Sequence, residues 1–264
     1  MKNKKIKLII NDNLRSNKVA REVKEKLEKN KFVIVEEGYD LAIAIGGDGS
    51  FLRMVKNADF NSKCCYVGIN AGTLGFAQEV NVDEIDEFIN ILKSGDFKVE
   101  NIGVQEVTIK TKKKTVKHCS INEIVVRDES LNTTELEVYV DGGLLEDFVG
   151  DGLLISTSFG STAYNLSFGG SIVFNTFHTL QITPVAPLNS KAYRSLTNSV
   201  IVPDNMPITL IPKRNNGNVI ITVDGDNNFY EGVTSIETVI DKTVQVIRMK
   251  DYNFIQKIND KFLK

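Results

Sequence analysis

The chain has 264 residues, enough for one large or two medium domains, each with its own core. Hydrophobic content of 42%, charged content of 25% and a formal net charge of −2 are ordinary for a globular protein, and they give nucleic acid or an anionic membrane no electrostatic footing as a partner. Cys64, Cys65 and Cys119 make one adjacent pair and no ligand spacing, which argues against a disulfide scaffold or zinc site and for a reducing compartment, the cytoplasm.

Met1-Lys2-Asn3-Lys4-Lys5 carries the charges of a signal peptide, but the apolar run at 6–10 is too short and stops at Asn11-Asp12. It reads as a first strand. No apolar stretch approaches the roughly 20 residues that span a bilayer. Residues 7–10 form that strand, and Ser16 or Asn17 can cap a helix with Val19, Val23 and Leu27 on one stripe. A short strand at 32–35 precedes a buried one at 41–45, Leu41-Ala42-Ile43-Ala44-Ile45, which stops at Gly46-Gly47-Asp48-Gly49-Ser50. A helical pattern with Phe51, Leu52 and Val55 on one side follows. Cys65-Tyr66-Val67-Gly68-Ile69 is another strand, running into a second glycine turn, Asn70-Ala71-Gly72-Thr73-Leu74-Gly75-Phe76. Asp83 then precedes a helix that turns Ile85, Phe88, Ile89 and Leu92 inward and ends near Gly95. Strand–helix alternation implies parallel pairing, so residues 1–100 are expected as an α/β domain with a doubly wound, mostly parallel sheet. Both glycine turns should then lie at its carboxyl edge, where such folds bind ligands.

Past residue 100 the period becomes two. Strands are expected at 106–112 and 115–119 around a Lys112-Lys113-Lys114 turn, then at 135–140, 153–157, 200–202, 208–211, 219–223, 235–240 and 244–249. Residues 101–264 are therefore a β-rich second domain. A last helix at about 253–264, with Phe254, Ile255, Ile258 and Phe262 at helical spacing, can pack back on the first domain.

Three stretches carry chemistry. In the first, a strand that breaks at glycines and re-forms as a helix gathers bare backbone N–H groups, which suits a phosphate. Asp48 would repel that phosphate unless it had work to do, so it is the first candidate for catalysis. The second runs from Gly150-Asp151-Gly152 to Gly160-Ser161-Thr162-Ala163-Tyr164-Asn165-Leu166-Ser167, a turn dense in hydroxyls with a helix start at Ser161 or Thr162. It could hold a sugar or phosphate, with Tyr164 stacking on a planar base, or be a capped helix with a packed tyrosine. The third is Asn122-Glu123 at the head of an apolar strand, on residues alone an ordinary strand entry. Asp224-Gly225-Asp226 reads as a turn; His118 and His178 read as structural or solvated.

Together, Gly46-Gly47-Asp48-Gly49, Gly68-Ile69-Asn70 with Gly72, Leu74, Gly75 and Phe76, Asn122-Glu123, and Asp151-Gly152 through Tyr164 resemble the NAD kinase family, also called ATP-NAD or polyphosphate-NAD kinases. The likeness runs in order over most of residues 40–225. The glycine-glycine-aspartate-glycine loop alone also occurs in 6-phosphofructokinases and lipid kinases; all four segments together are specific. The resemblance implies that Asp48 accepts the proton of the 2′-hydroxyl on the adenosine ribose of NAD, which attacks the terminal phosphoryl group of ATP or polyphosphate. Gly46, Gly47 and Gly49 would let the phosphates approach the backbone, and Arg53 would reach the nucleotide. Asn122 and Glu123 would hold the ribose and adenine. Asp151 and Thr162, Ala163, Tyr164, Asn165, Leu166 and Ser167 would complete the dinucleotide pocket, and Ala186 would line it. No protein cluster binds metal by itself; Mg²⁺ would come with ATP. A homodimer or homotetramer is also implied.

Three departures stand out: Ser158 where the family has proline, Val149 where it often has arginine or lysine, and Ser50 for threonine. Val149 and Ser158 motivate one alternative, a dinucleotide-binding sensor without turnover; the shared Asp48 loop leaves another, a lipid or sugar kinase, against which Asn122-Glu123 and Thr162-Ala163-Tyr164 stand.

Overall fold

In a computed structural model the described residues are 4–72, 75–130 and 132–264; Thr73 and Leu74 of the second glycine turn lie outside them. In chain order the first elements are β1 (Lys5–Ile10), α1 (Leu14–Lys29), β2 (Val33–Ile34), β3 (Leu41–Gly46), α2 (Asp48–Asn57), β4 (Cys65–Asn70), β5 (Val80–Asn81) and α3 (Ile85–Ser94). Next come β6 (Lys98–Thr111), β7 (Thr115–Ser120), β8 (Glu123–Asp128), β9 (Thr134–Val140), β10 (Gly143–Gly150), β11 (Gly152–Thr157), α4 (Tyr164–Ser167) and β12 (Thr179–Val185). The last are β13 (Val200–Pro203), β14 (Ile208–Pro212), β15 (Val219–Val223), β16 (Asp226–Tyr230), β17 (Val233–Arg248) and α5 (Phe254–Phe262). The chain divides into two compact units, Met1–Ile102 with Thr243–Lys264, and Gly103–Lys242. Residues 243–264, the close of β17 with α5, sort with the first unit, on which the sequence reading let the last helix pack back.

In the first unit β2, β1, β3 and β4 lie side by side and parallel, and the end of β17 adds to β4 at Gln245 and Val246. All six residues of β3 and of β4 are buried, as parallel strands covered on both faces must be. Val19, Val23 and Leu27 of α1 and Ile85, Phe88, Ile89 and Leu92 of α3 join one cluster with Ile43, Ile45, Val67 and Ile69. Each such burial contributes about 1.5–3 kcal/mol before entropy is counted. Helix α2 buries Ser50, Phe51, Met54 and Val55. Register pairs Gly46 with Asn70, so the two glycine turns leave the same carboxyl edge as neighbours.

The second unit is a two-sheet, antiparallel β structure. One sheet runs β13-β12-β11-β8-β15-β16; the other has β10-β9-β14 and the start of β17, together with β6 and β7. Ile124, Leu153, Ile155 and Ile221 from the first meet Leu136, Val138, Phe148 and Ile208 from the second in one core.

Several local expectations are corrected. Helix α1 is capped by Asn13, whose side chain accepts from Ser16 N, so it starts earlier than a Ser16 or Asn17 cap would place it. The strands expected at 235–240 and 244–249 are one, because Asp241-Lys242 continues the ladder instead of turning. The helix expected from Ser161 or Thr162 is a 3-10 turn, Phe159–Thr162, followed by the single turn α4. Strands β5, β10, β12 and β16 have no counterpart in the sequence reading.

Candidate active site

Asp48 is the first residue of α2, and its carboxylate closes the gap between the two glycine turns. Phe76 N donates to Oδ2 at 2.9 Å and Ala77 N donates to Oδ1 at 3.0 Å. Gln78 completes the tie by donating Nε2 to Gly47 O at 2.7 Å. The carboxylate stays 37% exposed, so it is oriented by fixed backbone dipoles and still open to a reactant. No side chain caps α2, because its N-cap is Gly47, and the carboxylate therefore sits among N–H groups at a helix N-terminus. Gly46 adopts φ +155, and a Cβ there would run into Ser50 and Asn11. The turn needs this glycine.

Arg53 lies exposed one turn along α2, its Nη2 donating to Asn11 Oδ1 at 2.9 Å and lying 3.4 Å from Ser50 Oγ. The hydroxyl kept by Ser50 in place of threonine is thus in contact with this arginine. Two cations from α5 complete the surroundings of Asp48: Lys261 Nζ is 3.7 Å from Oδ2, and Lys257 donates to Gln78 O. Sequence reasoning missed both, since lysines on an amphipathic helix read as its solvated face. The only signal was their four-residue spacing.

Within the second unit, Asn122 and Glu123 sit where β7 hands over to β8. Asp224, in a left-handed conformation (φ +45), caps this corner. Its carboxylate accepts from Ser120 Oγ at 2.6 Å and from the backbone N–H groups of Ile121, Asn122 and Glu123 at 2.9–3.2 Å. A residue read as a turn therefore fixes the pair. Glu123 is 7% exposed, and its Oε2 has no hydrogen-bond partner in the fold. Burial, reinforced by the Asp224 charge, pushes its carboxyl up to about 8, while the Tyr164 backbone N–H works the other way. The carboxyl thus holds its proton more tightly than usual and keeps a free polar atom.

The hydroxyl-rich run divides by role. Tyr164 is exposed, accepts from Arg127 Nη2 at 3.1 Å and meets Phe168 edge to face, which leaves its ring on the surface for stacking. Thr162, Ala163 and Leu166 are half-buried and Ser167 is exposed. Asn165 is fully buried: its amide donates to Ser161 O and Ser171 O and accepts from Thr183 Oγ1, so it shapes the run from inside. Asp151 is exposed at the start of β11, its N–H bonded to Val185 O, next to Ala186 with its φ of +44.

Ser158, where the family has proline, is itself tied into the loop. Its hydroxyl donates to Phe177 O and accepts from Thr179 N, tying the loop to β12. Val149 is buried, and Ser195 Oγ bridges its N–H and C=O. Among the described residues no group of three or more His, Cys, Asp or Glu side chains is placed to hold a metal, and no helix is long and apolar enough to cross a membrane.

Residues 4–97 match the family model for the ATP-NAD kinase N-terminal domain, and residues 121–248 that for the ATP-NAD kinase C-terminal domain. The NAD kinase of Finegoldia magna is 40% identical over 268 residues, covering 98% of this chain and 97% of that protein. The NAD kinase of Streptococcus pneumoniae is 34% identical over 269 residues, covering 100% and 98%. The chain belongs to the ATP-NAD kinase family. Two solved structures share the fold: yeast NADH kinase complexed with NADH (TM-score 0.84, 20% identity, 100% of this chain and 88% of the other) and an Archaeoglobus fulgidus NAD kinase in complex with ATP (TM-score 0.72, 18% identity, 97% and 98%). Because the match extends through both units, a lipid or sugar kinase sharing only the Asp48 loop is not favoured.

Proposed function

We propose that the protein is an NAD kinase that transfers the terminal phosphoryl group of ATP to the 2′-hydroxyl of the adenosine ribose of NAD, giving NADP and ADP. The observation that carries this reading is the Asp48 carboxylate, oriented by two backbone N–H groups yet exposed at a helix N-terminus. Asp48 takes the 2′-hydroxyl proton as the bond from that oxygen to phosphorus forms and the bond from phosphorus to ADP breaks. Each Asp48 oxygen accepts one N–H, so neither needs to move for the reaction. Gly46, Gly47 and Gly49 form the phosphate loop, and Arg53 reaches the nucleotide.

Asn122 and Glu123 hold the ribose and adenine, Glu123 through its unpartnered polar atom. Asp151, Tyr164 and the Thr162–Ser167 run complete the dinucleotide pocket, with Asn165 acting from within and Ala186 lining it. Mg²⁺ suits this site as a companion of ATP: hard oxygen donors abound on the phosphates, and Asp48 is the carboxylate of the loop. When bound it neutralises phosphate charge. Polyphosphate is a second donor to test. A cytoplasmic homodimer or homotetramer follows from the same family reading.

The test is NADP formation by purified protein supplied with NAD, ATP and Mg²⁺, with Asp48→Asn alongside. Wild-type turnover, and a loss of most of the rate in Asp48→Asn with NAD binding kept, is the expected pair. NADP binding with no turnover would instead establish a sensor.

A further inference from the structure

Helix α5 packs along its length on the loop that orients Asp48. Phe76, whose N–H holds Asp48 Oδ2, packs its ring edge-on against Phe254 (centroids 5.8 Å apart) and stacked against Phe262 (5.4 Å). The helix also presents Lys257 and Lys261, four residues apart and so on one face. Their surroundings differ. Lys257 is 11% exposed in its side chain, donates to Gln78 O, sits 3.8 Å from Glu79 Oε2 and lies 5.4 Å over the Tyr252 ring. Burial draws its ammonium down to about 8. It is an anchor. Lys261 is 27% exposed and lies 5.8 Å over the Phe76 ring, with its ammonium 3.7 Å from Asp48 Oδ2, near enough for attraction and too far for a hydrogen bond.

We propose that Lys261 is a further catalytic residue, whose ammonium attends Asp48 at rest and contacts the phosphoryl group in transfer. This deepens the proposed function and rests on it. As the 2′-hydroxyl proton passes to Asp48 and phosphorus moves from the ADP oxygen to the ribose oxygen, the carboxylate loses its negative charge. Charge spreads at the same time over the oxygens of the moving group. A cation between the two follows it without net loss of partner, and a lysine does so well because its stem is flexible and its charge compact. The nearby cations are otherwise engaged: Arg53 with Asn11, and Lys257 with Gln78 and Glu79.

Lys261→Met, Lys261→Gln and Lys261→Arg should be assayed for NADP formation over ranges of ATP and NAD, with thermal unfolding followed in parallel. The expected result is a fall in kcat of about 10²-fold for Met and Gln. KM for NAD should stay within about twofold, the unfolding midpoint within about 2 °C, and at least a tenfold recovery should appear in Arg. A kcat within threefold of wild type in either neutral variant overturns the proposal. So does a loss that Arg fails to recover and that travels with a lowered midpoint, since that marks packing alone. Wild-type protein making no NADP would instead remove the proposed function itself, and this inference with it.

Discussion

Gly75 lies against the Asp48 carboxylate so closely that a Cβ on residue 75 would fall on Oδ1. The absence of a side chain on one glycine turn is thus what lets the other turn's carboxylate reach the N–H groups of Phe76 and Ala77. Gly75→Ala should displace the carboxylate on the order of 1 Å, and a shift of that size costs roughly 10²-fold in rate. Steady-state assays should show this in kcat, with the unfolding midpoint little changed. A fully active Gly75→Ala would mean that Asp48 need not hold this position.

The buried Glu123 carboxyl makes a statement about pH. Its folded pKa of about 8 lies above the ordinary value of 4.5. Between those limits the folded chain keeps a proton that the unfolded chain has released. Stability from this group is full below about 4.5 and is lost as pH rises through about 8. Glu123→Gln keeps the shape without the titration, so its unfolding midpoint should gain on wild type as pH goes from 5 to 8. In the wild type, KM for NAD should rise above pH 8, and the variant should flatten that rise. A midpoint difference that shrinks over the same range would contradict the assignment.

Ser158 offers a test of how a loop is held. Removing its hydroxyl frees Phe177 O and Thr179 N from their partner, at about 1–3 kcal/mol. Ser158→Ala should therefore lower the unfolding midpoint by several degrees. Ser158 has φ −59, which a proline ring also adopts. Ser158→Pro should accordingly unfold above Ser158→Ala, because the ring restricts the unfolded chain. The reverse order in calorimetry would show that the local backbone rejects proline.

Much of the first unit was legible because parallel strands are short apolar runs cut off by glycines: β3 and β4 could be placed to within a residue. The Asp48 loop was legible for the same reason. The second unit was read less well where strands disobey alternation. Strand β10 exposes Leu144 and Leu145 and slips register between Leu144 and Glu146. Strand β12 buries Gln181, Thr183 and Pro184, and β16 is the polar edge Asp226–Tyr230. Asp224 looked like turn chemistry, and it is; what spacing could not reveal is that the turn caps a corner about 100 residues earlier in the chain. Lys257 and Lys261 were invisible because their partners are equally remote.

That remoteness bears on how the protein comes into being. The first unit is discontinuous, with residues Gly103–Lys242 threaded between its two parts, and the Lys257–Gln78 tie spans 179 positions. At ribosomal speeds of about 5–20 residues per second, synthesis of the intervening stretch occupies on the order of ten seconds or more. The second unit, continuous in sequence, is free to fold during that interval. The ties from Phe76, Ala77 and Gln78 that orient the Asp48 loop lie within residues 47–78, and the contacts from α5 are added after them. The strand end and helix that the first unit takes from residues 243–264 are therefore made only after the whole of the second unit.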